Sequence, residues 1–527
     1  MPITCNKREY TFDITNTTLS PDGIERIALT VNGQMPGPAV EANWGDEVIV
    51  HVTNKLQDNG TTIHFHGIRQ NYTNEMDGVP SITQCPIAPG ESMTYRFWAN
   101  SYGTSWYHSH FGLQTYEGVF GPLIINGPSS APDAIEGEQF VALQDWGHEG
   151  VDAMYEAAQT VGPLPDHGPR TLDTGLINGM NVWGTDGAPG TTGKRFEMNV
   201  VKGKTYRLRL LNGAIQSTFA FYIDRHKLKV IAADFVPIVP YETDVLLINI
   251  GQRYDVLVTF DQEVDDYWMR SDNQQKCASL VEPRNIKGIV RYQGSAGKIP
   301  TSPAYTYTAS CGDEPMSKLV PYYQMNVGGA EDQISKTATI GANGGVPNLY
   351  KWSLSGSTFT AQYDDPTLQA IVERETIPDY SGNLAISVPK LGEWVYVIID
   401  TPVPVAHPIH LHGHDFFVLA QGMGSYTSAT KLNLRNPPRR DVAQMPADPT
   451  TGKGGYLVVA FYTDNPGAWL MHCHIGWHSA MGFALQIITN QEGINETVKD
   501  TCAMQDTCDS WKRYAEINDV EVEDSGV

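Results

Sequence analysis

The chain has 527 residues and a formal net charge of -23, with 59 acidic side chains against 36 Lys and Arg. That balance argues against nucleic acid or an anionic membrane surface as partner, since both reward basic patches. With 18% charged residues, 50 Gly, 33 Pro and 25 Tyr, it reads as compact, turn-rich and all-β, and at about 150 residues per domain its length suggests three or four domains.

The opening "MPITCNKREYTF" has no apolar h-region of a signal peptide, so the chain is read as a mature form. Secretion is expected from two other features. The seven cysteines are Cys5, Cys85, Cys277, Cys311, Cys473, Cys502 and Cys508; if Cys473 binds metal, six remain for three disulfides. Glycosylation sequons occur at Asn16, Asn59, Asn71 and Asn495. No apolar run approaches the roughly 20 residues of a membrane helix, so a soluble protein is expected.

A repeat then organises the chain. "GDEVIVHVTN" (45–54) is a Gly-led turn followed by the alternation of a strand with one buried face. "HFHG" (64–67) and "WYHSHF" (106–111) follow it. The design recurs in "GKTYRLRLLN" (203–212), which leads to "FAFYIDRHKLKVIAAD" without paired histidines. It recurs again in "GEWVYVIID" (392–400), followed by "HLHG" (410–413) and "LMHCHI" (470–475). Three sandwich domains are expected, metal-bearing at both ends and bare in the middle, over 1–130, 131–300 and 301–527.

Of 15 histidines, eight form four His-x-His pairs: His64/His66, His108/His110, His410/His412 and His472/His474. On a strand, such residues project from one face about 7 Å apart, so one strand can offer two imidazoles to one cluster. Imidazole suits copper, zinc, iron and nickel alike. Cys473 narrows the choice. It points away from its two neighbours, toward a separate site, with His478 five residues on and His407 just before the 410/412 pair. Two imidazoles and a thiolate form the trigonal set of a blue copper centre. Zinc in such a site is chemically possible but leaves the eight-imidazole cluster beside it unexplained. The expectation is copper, in two kinds of site joined by one tripeptide.

"HFHG", "WYHSH", "HPIHLHGH" and "HCHIGWHSAMGF" resemble the four copper signatures of multicopper oxidases, and "MDGVPSITQCPIAPG" with the closing "DSGV" resembles the ascomycete laccase branch. The resemblance implies three cupredoxin domains and four copper ions. His407, Cys473 and His478 would hold type 1 copper, and His64 and His410 type 2. His66, His108, His110, His412, His472 and His474 would hold the type 3 pair. It implies one-electron oxidation of small phenols or aromatic amines at His478, passage through Cys473 to His472 or His474, and four-electron reduction of O2 to water. A monomer is expected. His51, His148, His167, His226 and His414 are left as ordinary surface or core residues.

Other roles come from the same resemblance. Asp77 matches a carboxylate beside the cluster, a candidate proton relay; the alternative is an ordinary Asp-Gly turn. Asp234 aligns with an acid that would accept a phenol's proton near the type 1 histidine; the alternative is a solvated strand end. Phe483 falls at the axial position, where laccases of the branch often carry Leu; it cannot coordinate and keeps the site more oxidising than Met would. Met481 is read as packing, and Trp477, Val403 and Val405 as an apolar rim. Gly476 stands where fungal iron oxidases carry an acid, which weakens a ferroxidase reading. Disulfides Cys277–Cys311 and Cys85–Cys508 are implied, leaving Cys5 for Cys502. The acidic tail with Glu521, Glu523, Asp524 and Val527 resembles a processed end that plugs the channel to the cluster; the alternative is a frayed, solvated terminus.

Overall fold

In the computed structural model the three Gly-led segments become three equivalent strands, within the described residues 1–131, 135–159, 171–342, 350–498, 500–520 and 527. Glu47–Asn54 runs parallel to Lys7–Leu19 and antiparallel to Ser92–Trp98. Lys204–Asn212 stands in the same way between Gly137–Trp146 and Arg253–Phe260. Trp394–Asp400 does so between Asp332–Ala342 and Gly455–Tyr462. Each unit adds a second sheet, giving pairs of four and four, six and five, and six and five strands. These are three consecutive cupredoxin-like sandwiches. Alternation does the packing: along Ser92–Trp98, Met93, Tyr95 and Phe97 turn inward while Ser92, Arg96 and Trp98 face water.

After the last strand, helix Thr501–Asn518 begins at Asp500, whose side chain accepts from the Ala503 N–H at 3.0 Å. The helix returns to the first unit, where Cys508 bonds Cys85 and Trp511 is buried near Gly60. A second disulfide joins Cys277 and Cys311.

The expected Cys5–Cys502 bond is not formed: both are exposed free thiols. Thr4 Oγ1 donates to Gly45 O at 3.1 Å, which holds the N-terminus at the start of strand Glu47–Asn54. Cys85 lies near the other end, where Asn54 Nδ2 donates to Ile87 O at 2.8 Å. That strand is roughly 23 Å long, whereas the helical rise from Cys502 to Cys508 is only about 9 Å. With Cys508 anchored at Cys85 and the N-terminus held toward the opposite end of that strand, the helix does not bring Cys502 to Cys5.

Candidate metal centre

Strand register performs the first step of assembly. His64 lies opposite His108 between antiparallel strands Ile63–Phe65 and Gly103–Ser109. His410 lies opposite His472 between His407–Leu411 and Gly467–Cys473. The i+2 partner of each follows on the same face, and the two four-histidine faces meet between the first and third units. Ring centroids are 4.0 Å apart for His64–His412, 3.9 Å for His66–His410 and 5.2 Å for His110–His472. All eight side chains are buried.

Outer hydrogen bonds orient these rings. His64 Nδ1 contacts Asp77 O at 2.7 Å, His410 Nδ1 contacts Asp441 O at 2.7 Å, and His472 Nδ1 contacts Cys473 O at 3.0 Å. His412 Nδ1 contacts the Asp77 carboxylate at 2.9 Å. Among the described residues, Nε2 of all four is buried without a hydrogen-bond partner, as are both ring nitrogens of His110 and His474. Burial, followed by the neighbouring imidazoles, holds His66, His108, His410 and His412 neutral far below the usual histidine range. Neutral nitrogens crowded together with no donor among the described residues are costly when buried, and a cation is what such a donor set accepts. Copper fits it.

The second group is compact. Cys473 Sγ lies 3.5 Å from His407 Nδ1 and 3.7 Å from His478 Nδ1, and the two nitrogens are 3.1 Å apart. Burial pushes the Cys473 thiol well up, so a thiolate here calls for a soft cation as partner. Phe483 is buried with its ring centroid 4.9 Å from that of His407, and its carbonyl accepts from the Cys473 N–H at 3.0 Å. Trp352, unmarked in the sequence, closes the pocket at 4.7 Å from His407 and 5.3 Å from Phe483.

His478 and Trp477 open onto a cavity of about 350 Å³, with Val403, Val405, Tyr155 and Met481 in its wall. A polar side chain meets the tryptophan there: Gln216 Oε1 accepts from Trp477 Nε1 at 2.8 Å. Asp145 fixes this loop, accepting from the Ile215 and Gln216 N–H groups at 2.8 and 3.1 Å. Gln216 carries no motif; only packing of the middle unit against 476–478 puts it there. Gly476 is required by the same contact, because a Cβ there would lie 2.3 Å from the Tyr116 ring and 2.7 Å from Ile215.

Asp234 is not in this cavity, which corrects the expectation for it. It is buried in an ionic network, with Oδ2 3.0 Å from Arg440 Nε and Oδ1 accepting the Arg253 N–H at 3.0 Å. These guanidiniums hold its carboxyl below the usual range despite desolvation. The turn after strand Leu228–Ala233 faces Asp441 and Arg253 instead, so the role implied by the resemblance does not fall on this residue. Asp441, missed in the sequence, contacts His66 Nε2 through Oδ1 at 3.2 Å.

His226 bonds Tyr292 Oη at 2.6 Å, His148 bonds Asp22 at 2.7 Å and His51 bonds Glu9 at 2.7 Å. His414 is buried against Phe461 and Trp469. His167 lies outside the described residues, as do Glu521, Glu523 and Asp524. Val527 itself is buried; its carbonyl accepts from Ser479 Oγ at 3.1 Å, in a small cavity shared with His108, His110, His472 and His474. Among the sequons, Asn16, Asn59 and Asn495 are exposed and Asn71 is half-buried.

Multicopper oxidase family profiles match residues 13–130, 137–295 and 355–493. Laccase-2 of Botryotinia fuckeliana is 46% identical, covering 100% of this chain and 89% of that protein. Dihydrogeodin oxidase of Aspergillus terreus is 38% identical over 98% of this chain and 90% of its own length. The crystal structure of a laccase from Botrytis aclada superposes with a TM-score of 0.92 at 43% identity, covering 100% of this chain and 95% of that one. The chain belongs to the multicopper oxidase family. It is an oxidoreductase of the laccase-like fungal kind, and copper is its metal.

Proposed function

We propose that this protein is a secreted laccase that oxidises small phenols, one electron at a time, and reduces O2 to water with four copper ions. His407, Cys473 and His478 form the type 1 site, His64 and His410 the type 2 site, and His66, His108, His110, His412, His472 and His474 the type 3 pair. One observation carries the reading: a single tripeptide supplies both sites, Cys473 to one group and His472 and His474 to the other. Copper, when bound, supplies the one-electron chemistry at the first site and the four-electron reduction of O2 at the second.

The residues do the rest. The half-buried His478 offers its ring to an aromatic held against Trp477, and the covalent path from Cys473 to either neighbouring histidine links the two groups. Trp352 and Phe483 keep water from Cys473. Asp77, on His412, is placed to move protons toward the cluster. The packed Gly476 leaves no room for an acid, which counts against a ferrous-ion substrate. Kinship with dihydrogeodin oxidase supports a second reading within the same chemistry, oxidation of one dedicated phenolic precursor.

O2 uptake with a panel of simple phenols, then with ferrous iron, tests the proposal. Broad phenol turnover with little ferrous oxidation is the expected result. Turnover of a single bulky phenol would favour the dedicated reading, and ferrous iron as the better substrate would overturn both.

A further inference from the structure

The middle unit lacks a histidine pair, yet two of its side chains reach the back of the cluster. Arg253, fully buried, places Nη1 2.5 Å from Asp441 Oδ1 and Nη2 2.6 Å from Asp441 Oδ2. Its Nε donates to Thr104 O in the first unit at 3.3 Å. Asp234 Oδ2 accepts the Asp441 N–H at 3.2 Å. Asp441 is thus held at its carboxylate and at its backbone N–H by the middle unit.

What Asp441 does with that fixed position is specific. Its carbonyl faces His410 Nδ1 at 2.7 Å, while its carboxylate faces His66 Nε2 at 3.2 Å. The two rings are stacked, 3.9 Å between centroids and 13° between planes. With Asp441 ionised against the bidentate Arg253, each nitrogen facing one of its oxygens carries the proton. The two stacked imidazoles therefore need opposite tautomers, Nδ1–H on His410 and Nε2–H on His66. His66 consequently turns Nδ1 inward, 3.4 Å from His108 Nε2, whereas His64, His410, His412 and His472 turn Nε2 inward. Gly67 leaves space for the arrangement: a Cβ on it would lie 2.5 Å from Asp441 Oδ2 and 2.8 Å from Arg253 Nη2.

We propose that Arg253 and Asp234 are positioning residues for the copper cluster, fixing Asp441 so that His66 and His410 present opposite ring nitrogens to the metal. The inference rests on the copper reading above for its consequence but not for its geometry. A bidentate guanidinium is required; an ammonium can match the charge but not hold both carboxylate oxygens in one plane.

Arg253→Lys is the main test, with Asp234→Asn as second variant should the first fail to fold. In the copper-loaded protein, reoxidation by O2 or copper retention at the cluster should fall 10–100-fold, the usual cost of losing a partner that orients a ligand. Bleaching of the blue band by a phenol should be unchanged. Variants that melt earlier yet hold full copper, with the parent's type 2 electron paramagnetic resonance spectrum and reoxidation rate, would make the network a mere interdomain tie and overturn the proposal. The metal-free parent gives an independent reading. Its side-chain 15N shifts should report Nε2–H for His66 and Nδ1–H for His410, and the same tautomer in both would overturn it. A parent that neither turns blue nor consumes O2 would instead remove the copper reading and leave the tautomer result standing.

Discussion

Asp77 and Asp441 hold the same relation to the cluster from opposite halves of the molecule. Each gives its backbone carbonyl to the first histidine of its own half, His64 or His410, at 2.7 Å. Each gives its carboxylate to the second histidine of the other half, His412 at 2.9 Å or His66 at 3.2 Å. The two acids therefore cross-tie the halves as well as orient the rings. Asp77→Asn is expected to slow reoxidation of the reduced enzyme about 10–100-fold without changing type 1 reduction. Stopped-flow spectroscopy separates the two steps, and equal slowing of both would refute a role confined to the cluster.

Cys473→Ser should abolish the blue absorption and phenol oxidation together. A hydroxyl cannot replace the thiolate that gives such a site its colour and its path to His472 and His474. Copper analysis should show one ion fewer per chain. A variant that stayed blue would end the type 1 assignment.

Phe483→Met should lower the type 1 reduction potential. The Phe483 carbonyl anchors the Cys473 N–H and its ring lies 4.9 Å from that of His407, so a thioether in its place would add electron density to copper held by His407, Cys473 and His478. Redox titration decides; an unchanged or higher potential counts against an axial position.

Deleting Asp524–Val527, or extending the chain beyond Val527, should impair O2 reduction while type 1 copper still reduces normally. Val527 is 3% exposed, against Ser479 and the small cavity that four cluster histidines line. Burial of Val527 there is unlike a frayed, solvated segment. Reoxidation at the parent's rate in both variants would leave the tail without a function.

The metal-free protein should lose stability as the pH falls below about 6.5. Burial depresses the cluster imidazoles in the folded state, His474 to about 3, whereas in the unfolded chain they titrate near 6.5. The unfolded state then binds more protons in that window, which favours unfolding. Each such histidine costs up to about 1.4 kcal/mol per pH unit until its folded pKa is reached. Asp441, pushed up by burial and by Asp234, works in the opposite sense, but it is one group against several. Thermal midpoints between pH 7 and 4.5 give the sign, and a flat or rising profile toward acid would contradict it.

By itself the sequence determined what repeats locally. Period-two spacing on a strand named the four histidine pairs, the alternation around Cys473 separated thiolate from imidazoles, and the recurring Gly-led strand announced three similar sandwiches. Each of these is written within a few residues, because backbone geometry dictates which side chains share a face. Tertiary structure alone decided where the isolated groups went. Asp234 meets Arg440 across 206 residues and Arg253 meets Asp441 across 188, while Gln216 meets Trp477 across 261. No local period marks such partners; burial forces them together, since a charge or amide taken out of water must be satisfied by whatever the packed domains bring alongside. The same rule left Cys5 and Cys502 unpaired: a count of thiols carries no distance, and once Cys508 is bound to Cys85 the chain's geometry keeps the remaining two apart.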